Sequence, residues 1–158
     1  MRWLRSLITN TTKRRFAQVH DVQIKFEKVR EERTMERNVF SQPLALHGTR
    51  PLTGFLRTGY CEAPKSDAGN HSVAGIVTNE FLDFSAARGN DLRQAGLTDG
   101  CKWCLCVARW KEAFDARSGD DDRKVPRVVL QATNARALEG ATLDELRKFA
   151  VNEDGGGK

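Results

Sequence analysis

The run SVAGIVT, residues 72–78, is rich enough in β-branched residues to be a buried strand, and it passes directly into NEFLDFSAARG, residues 79–89. The second segment reads as a helix. Thr78 or Asn79 stands at its N-cap, Gly89 falls just past its end, and Phe81, Leu82 and Phe84 to Ala86 supply a buried face. Around this pair, strand-like and helix-like stretches are mixed without a regular βαβ rhythm. That argues against a doubly wound parallel sheet. It predicts an α+β domain, a two-layer sandwich with helices packed on one face of a mostly antiparallel sheet.

NVFSQPLALHG, residues 38–48, reads as extended, with Pro43 suited to an edge. RPLTGF and RTGYC read as turn-and-strand pieces around Gly54 and Gly59, and EAPKSDAGNH, residues 62–71, as a polar loop. GNDL, residues 89–92, serves as a helix end and turn. From Cys104 onward the stretch CKWCLCVARWKEAFDARSG has helical composition, with Val107, Trp110 and Phe114 on one face. VPRVVLQAT, residues 125–133, reads as a strand. Thr142 and Glu145 form a capping box opening a last helix, with Leu143, Leu146 and Phe149 inward. Ahead of the domain, residues 21–37 carry alternating charges and a narrow apolar stripe of Val22, Phe26 and Val29, which predicts a helical extension. The expected organisation is an arm at 1–20, a charged helix at 21–37, the domain at 38–151 and a flexible tail at 152–158.

Charge is placed unevenly along the 158 residues. The net charge of +5 belongs to the arm, where Arg2, Arg5, Lys13, Arg14 and Arg15 occur with no acidic residue before Asp21. The rest of the chain balances, with 21 of the 26 basic residues against all 21 acidic ones. A neutral body argues against a nucleic-acid face on the domain itself. In the arm, Trp3, Leu4, Leu7 and Ile8 share one helical face, the amphipathic, Arg-rich and acid-poor profile of a mitochondrial transit peptide. The expected location is the mitochondrial matrix or the matrix side of the inner membrane. The alternative is a retained arm gripping RNA or a partner subunit. No apolar run approaches the roughly 18–20 residues of a membrane span.

Chemistry concentrates at the four cysteines, Cys61, Cys101, Cys104 and Cys106. Three of them within six residues make a poor disulfide framework and a better set of reduced thiols or metal ligands. Adding Cys61, His47 or His71 to the cluster would complete four ligands for zinc. Cys101 and Cys104 have dithiol spacing ahead of a helix, although LTDG before them is not a buried strand. Cys61 with His71 or His47 is the candidate couple for thiol catalysis, and the loop before His71 brings Asp67 and Asn70 close to it. The plainer alternative makes Cys104 and Cys106 small core residues beside Trp103 and Trp110. The sequence contains no Walker loop, dinucleotide glycine fingerprint or nucleophile elbow.

Between about 37 and 151 several motifs occur together: RNVF, Pro43-Leu44, RPLTGFLRTGYC, the D-x-G-x-H of Asp67, Gly69 and His71, TNEFLDFSAARGNDL, WCLCVARWKEAF and VVLQAT. In these the chain resembles an uncharacterised, largely bacterial family, domain of unknown function 2237. The resemblance implies a two-layer α/β sandwich and no established reaction. It also implies cysteines at the positions held here by His47, Tyr60 and Ala74, leaving Cys61, Cys104 and Cys106 of that set, with His47 still able to ligate zinc. Asp67, His71, Arg88, Asn90, Asp91, Arg109 and Trp110 then stand as family architectural or binding residues.

A basic arm, a charged helix and a depleted cysteine set together predict a non-catalytic accessory subunit of a large mitochondrial assembly, a respiratory or ATP-synthase complex ahead of a ribosome bound through residues 1–20. The alternative is a small thiol- or zinc-dependent enzyme or sensor.

Overall fold

The computed structural model describes residues 36–151. The arm with Arg2, Arg5, Lys13, Arg14 and Arg15, nearly all of the charged helix, and the tail lie outside the described residues.

The core is α+β, as the mixed pattern predicts. Three short strands, β1 (Val73–Ile76), β2 (Lys102–Leu105) and β3 (Arg127–Val128), form an antiparallel sheet in the order β2-β1-β3. Among the described residues three helices accompany them: α1 (Asn79–Ala86), α2 (Val107–Asp115) and α3 (Leu143–Lys148). The register Val73↔Leu105 and Gly75↔Trp103, with Gly75↔Val128, assigns alternate residues to opposite faces. One face packs Val73, Trp103, Leu105 and Val128 with Phe81, Leu82, Val107, Trp110, Phe114, Leu146 and Phe149 from the helices. The other presents Ala74 and Cys104 to Cys61 and Ala132. The helices therefore share one face, and irregular chain, including the segment up to Cys61, covers the other.

Local chemistry explains the boundaries. Thr78 caps α1, accepting from the Phe81 N–H, and Asp91 caps a 3-10 turn at Leu92–Ala95 that ends on Gly96 at φ 81°. The predicted capping box is formed, with Thr142 Oγ1 accepting from Glu145 N–H and Glu145 Oε2 accepting from Thr142 N–H.

Two expectations fail on β2 and β3. Cys104 belongs to a strand, and the helix begins only at Val107. Trp103, Cys104 and Leu105 are all buried, so the run lacks the alternation that marks a one-sided strand and reads as helical composition. The strand expected over 125–133 pairs only at Arg127–Val128, then turns into a 3-10 segment at Leu130–Ala132.

Cys61 and Cys104 form a disulfide between α-carbons 5.3 Å apart. This corrects the expectation of reduced thiols at Cys61 and Cys104: a separation of 43 positions conceals a pairing that the folding of the 44–61 segment across β2 creates. Beside it, Thr53 Oγ1 accepts from Cys104 N–H at 2.7 Å, a second tie between the covering segment and the outer edge of β2.

Candidate functional site

Because β1 and β2 are antiparallel, the residues entering β1 lie beside those leaving β2. The Val107 N–H donates to Asn70 O at 3.0 Å, continuing the pairing past the strand ends. This crossing brings the D-x-G-x-H loop against the WCLC segment.

Asp67 organises the loop. Its carboxylate is buried and accepts from the N–H of Gly69 at 3.2 Å, the N–H of His71 at 2.7 Å and His71 Nδ1 at 2.8 Å. The first two bonds form an Asx-type turn, in which Asn70 takes φ 48°. The third defines the imidazole tautomer: with Nδ1–H given to the carboxylate, Nε2 is the nitrogen left to exchange a proton. Burial alone would raise the Asp67 pKa, but the bonds from His71 and Gly69 hold it below the ordinary carboxylate value.

Cys106 occupies the N-cap position of α2, half-buried and unoxidised, and its side chain makes no capping bond to the helix. A Cβ built on Gly69 would stand 2.7 Å from His71 Cε1 and 3.3 Å from Cys106 Sγ, so imidazole and thiol close over a position only glycine can occupy without displacement. The Cys106 sulfur is the foremost reason that the His71 pKa rises to about 9. Burial opposes this, and Asp67 adds to it. Phe55, an exposed residue of the covering segment, stacks on the His71 ring with centroids 6.0 Å apart. Thiol, imidazole and carboxylate thus stand in series, Cys106–His71–Asp67, the arrangement of nucleophile, base and orienting group used in cysteine catalysis.

The remaining expected site residues go elsewhere. The five-residue set Cys61, Cys104, Cys106, His47 and His71 is not assembled: two of its sulfurs are bonded to each other, and His47 contacts Gly75. Among the described residues, no group of three or more His, Cys, Asp or Glu side chains could hold a metal ion, which leaves the proposed zinc ligation without a ligand set there. Cys101 lies against Thr98, 3.5 Å from its N–H and its hydroxyl, so the Cys101–Cys104 dithiol is also not formed. Trp110 is buried, stacks on Phe114 at 5.2 Å and donates from Nε1 to Pro126 O at 3.1 Å. Asn90 and Ser85 bond each other at the end of α1. Arg88 covers the Phe84 ring and Arg109 pairs with Glu112 at 3.1 Å. Asp91 caps the 3-10 turn, and none of these side chains is among the groups that meet at Gly69. A shallow depression of about 320 Å³ near Lys111, Gly140 and Glu145 holds none of the sulfur or histidine groups.

His47 supplies a separate pH response. Its Nε2 lies 3.0 Å from Gly75 O and so carries the proton, while Nδ1 is buried with no partner among the described residues. Protonating Nδ1 would bury an unmatched N–H. Burial therefore lowers the pKa from 6.5 to about 4, the Gly75 bond and Lys102 being smaller influences. The native state stays neutral where the unfolded chain takes up a proton, so stability is full above pH 6.5 and falls as pH drops toward 4, by roughly 3 kcal/mol in all. Urea unfolding of His47→Gln against the parent across this window checks it. The expected result is a shallower acid loss in the variant, and parallel curves would contradict it.

The thiol–imidazole pair was missed because Cys61, not Cys106, stood as the partner of His71. The missing signal was the antiparallel pairing, which a correct strand at 102–105 would have supplied. No helix among the described residues is long and apolar enough to cross a membrane. A comparison with curated proteins finds no match. A family model described as an uncharacterized protein conserved in bacteria, domain of unknown function 2237, matches residues 37–150. Conservation in bacteria overturns the mitochondrial placement: an amphipathic, Arg-rich stretch of 20 residues is a pattern of composition that a chain acquires without being imported. The match spans the D-x-G-x-H loop, the WCLC segment and every strand and helix described above, and the chain belongs to this family.

Proposed function

We propose that the chain is a thiol enzyme in which Cys106 is the nucleophile, His71 its base and Asp67 the group that orients the base. The observation that carries this reading is the convergence over Gly69: Cys106 Sγ and the His71 ring meet there, and His71 Nδ1 is bonded to a buried carboxylate. A purely structural cysteine at an N-cap needs no imidazole beside it, and a turn-capping aspartate needs no bond to a ring nitrogen. The exposed Phe55 ring over His71 leaves the pair at the surface, where a substrate reaches it. His71 holds a proton after taking it from the thiol, and Asp67 keeps the ring directed at the sulfur through each transfer.

The accessory-subunit role rests on residues 1–37 and on the reduced cysteine set, and it assigns Cys106 no reactivity. One experiment separates the two. Native protein is treated with substoichiometric iodoacetamide at pH 7 and the modified cysteine is located by mass spectrometry. Cys106 is expected to label ahead of Cys101, and His71→Ala to slow that labelling by about 100-fold, within the usual contribution of a positioned base. Equal labelling of the two free cysteines, or a rate indifferent to His71→Ala, would refute the thiol-enzyme reading.

A further inference from the structure

Resting on the thiol reading, we infer that the electrophile attacked by Cys106 is an acyl carbonyl, carried on a thioester or aryl ester, and that main-chain N–H groups around the thiol form its oxyanion hole. Along β2, even-numbered N–H groups point away from β1. That of Cys104 is taken by Thr53 Oγ1, and two residues further on, that of Cys106 has no acceptor among the described residues. At an N-cap, the side chain overlies the N–H groups of the second and third helical residues, here Ala108 and Arg109. Neither has an acceptor among the described residues, and Cys106, whose sulfur turns to His71, supplies none. The neighbouring donors are spoken for: Val107 N–H bonds Asn70 O, and Trp110 N–H bonds Cys106 O.

A nucleophilic sulfur is therefore bordered by free amide donors, its own included. Alkyl or disulfide electrophiles develop no oxygen anion and have no use for them, whereas attack on a carbonyl produces one on the carbon bonded to the sulfur, where such donors can reach it. The step balances without an oxidant or metal. The Cys106 S–C bond forms as the carbonyl π pair moves onto oxygen, the C–S or C–O bond to the leaving group breaks, and His71 returns the thiol proton to that group. Water, deprotonated by His71, then attacks the acyl-cysteine, releasing a carboxylic acid and regenerating the thiol.

The full chain is incubated in parallel with p-nitrophenyl acetate and with iodoacetamide. Acetylation of Cys106 with a burst of nitrophenolate, removed by Cys106→Ser, is the expected result. Rapid alkylation without acetylation would overturn the acyl inference and leave the thiol reading standing, and absence of both would overturn both. Ala108→Pro adds a second measurement, since proline fits a first helical turn and deletes an N–H that has no acceptor among the described residues. It is expected to slow acetylation about 100-fold and alkylation far less, so that the ratio of acetylation to alkylation falls by about tenfold or more. Unchanged acetylation in a variant that alkylates normally would remove Ala108 from the hole and overturn its assignment.

Discussion

Replacing Cys61 and Cys104 together by alanine is expected to cost about 4 kcal/mol of folding stability, the chain-entropy value for a closed loop of 43 residues. The bond ties the covering segment to β2 with both cysteines fully buried, so its loss opens a large span of unfolded conformations and removes packing from the face opposite the helices. With a urea dependence of about 2 kcal/mol per molar, the midpoint should fall by roughly 2 M. Parent protein treated with reductant during unfolding should show the same shift, which separates the cross-link from the side chains. A midpoint unmoved by reductant would mean that the two sulfurs are not bonded. The substitution should also slow Cys106 labelling, because Phe55 belongs to the released segment and braces His71.

Asp67→Asn is expected to damage fold and site together. The carboxylate receives three N–H donors, and an amide in its place turns an NH₂ toward some of them. With each buried unmatched donor costing about 1–3 kcal/mol, a loss of about 2–4 kcal/mol follows. The pH dependence has a definite sign. Asp67 is held below its unfolded pKa of 3.8, so its contribution is present above that pH and is lost as acid titrates it. His71 is raised to about 9, so the stability it draws from its partners is complete below pH 6.5 and is lost as pH climbs toward 9. The difference between parent and variant should be widest between pH 4 and 6.5 and narrow on both sides. In the variant the imidazole titration, followed by NMR, should move to lower pH. A flat difference across pH with an unmoved His71 midpoint would contradict the carboxylate–imidazole bond.

The strongest sequence signals in the domain were local ones. Thr78 before NEFLDF, and Thr142 three residues before Glu145, are caps whose donors and acceptors lie within one turn, and both are formed. The α+β class followed from the absence of a βαβ rhythm. Features that depended on long-range pairing were misread. WCL is buried on both faces of the sheet, which erases period-two alternation, and its misreading as helix hid the register that sets Cys106 beside the D-x-G-x-H loop. Cys61 pairs with Cys104 because chain 44–61 folds over β2, a tertiary event with no local signature. Asp67 and His71, four apart in a polar loop, were legible as neighbours. Their third partner was not.

Cys106 sits where β2 passes into α2, one residue beyond the Val73↔Leu105 pair and one before the first helical residue. Its main chain cannot shift without breaking strand register or unwinding a turn. The segment from Leu46 to Leu56, which carries Leu46, Leu52, Phe55 and Leu56 exposed at the surface, is held from one side by Thr53 and the downstream disulfide. The sulfur and the exposed apolar rim beside it therefore rest on different supports, joined by the stack of Phe55 on His71. A descendant can rewrite the exposed positions Leu46, Leu52 and Leu56, keeping His47, Thr53 and Phe55 with their contacts to Gly75, Cys104 and His71, so that the apolar rim beside Cys106 can diverge faster than the sulfur, ring and carboxylate it borders.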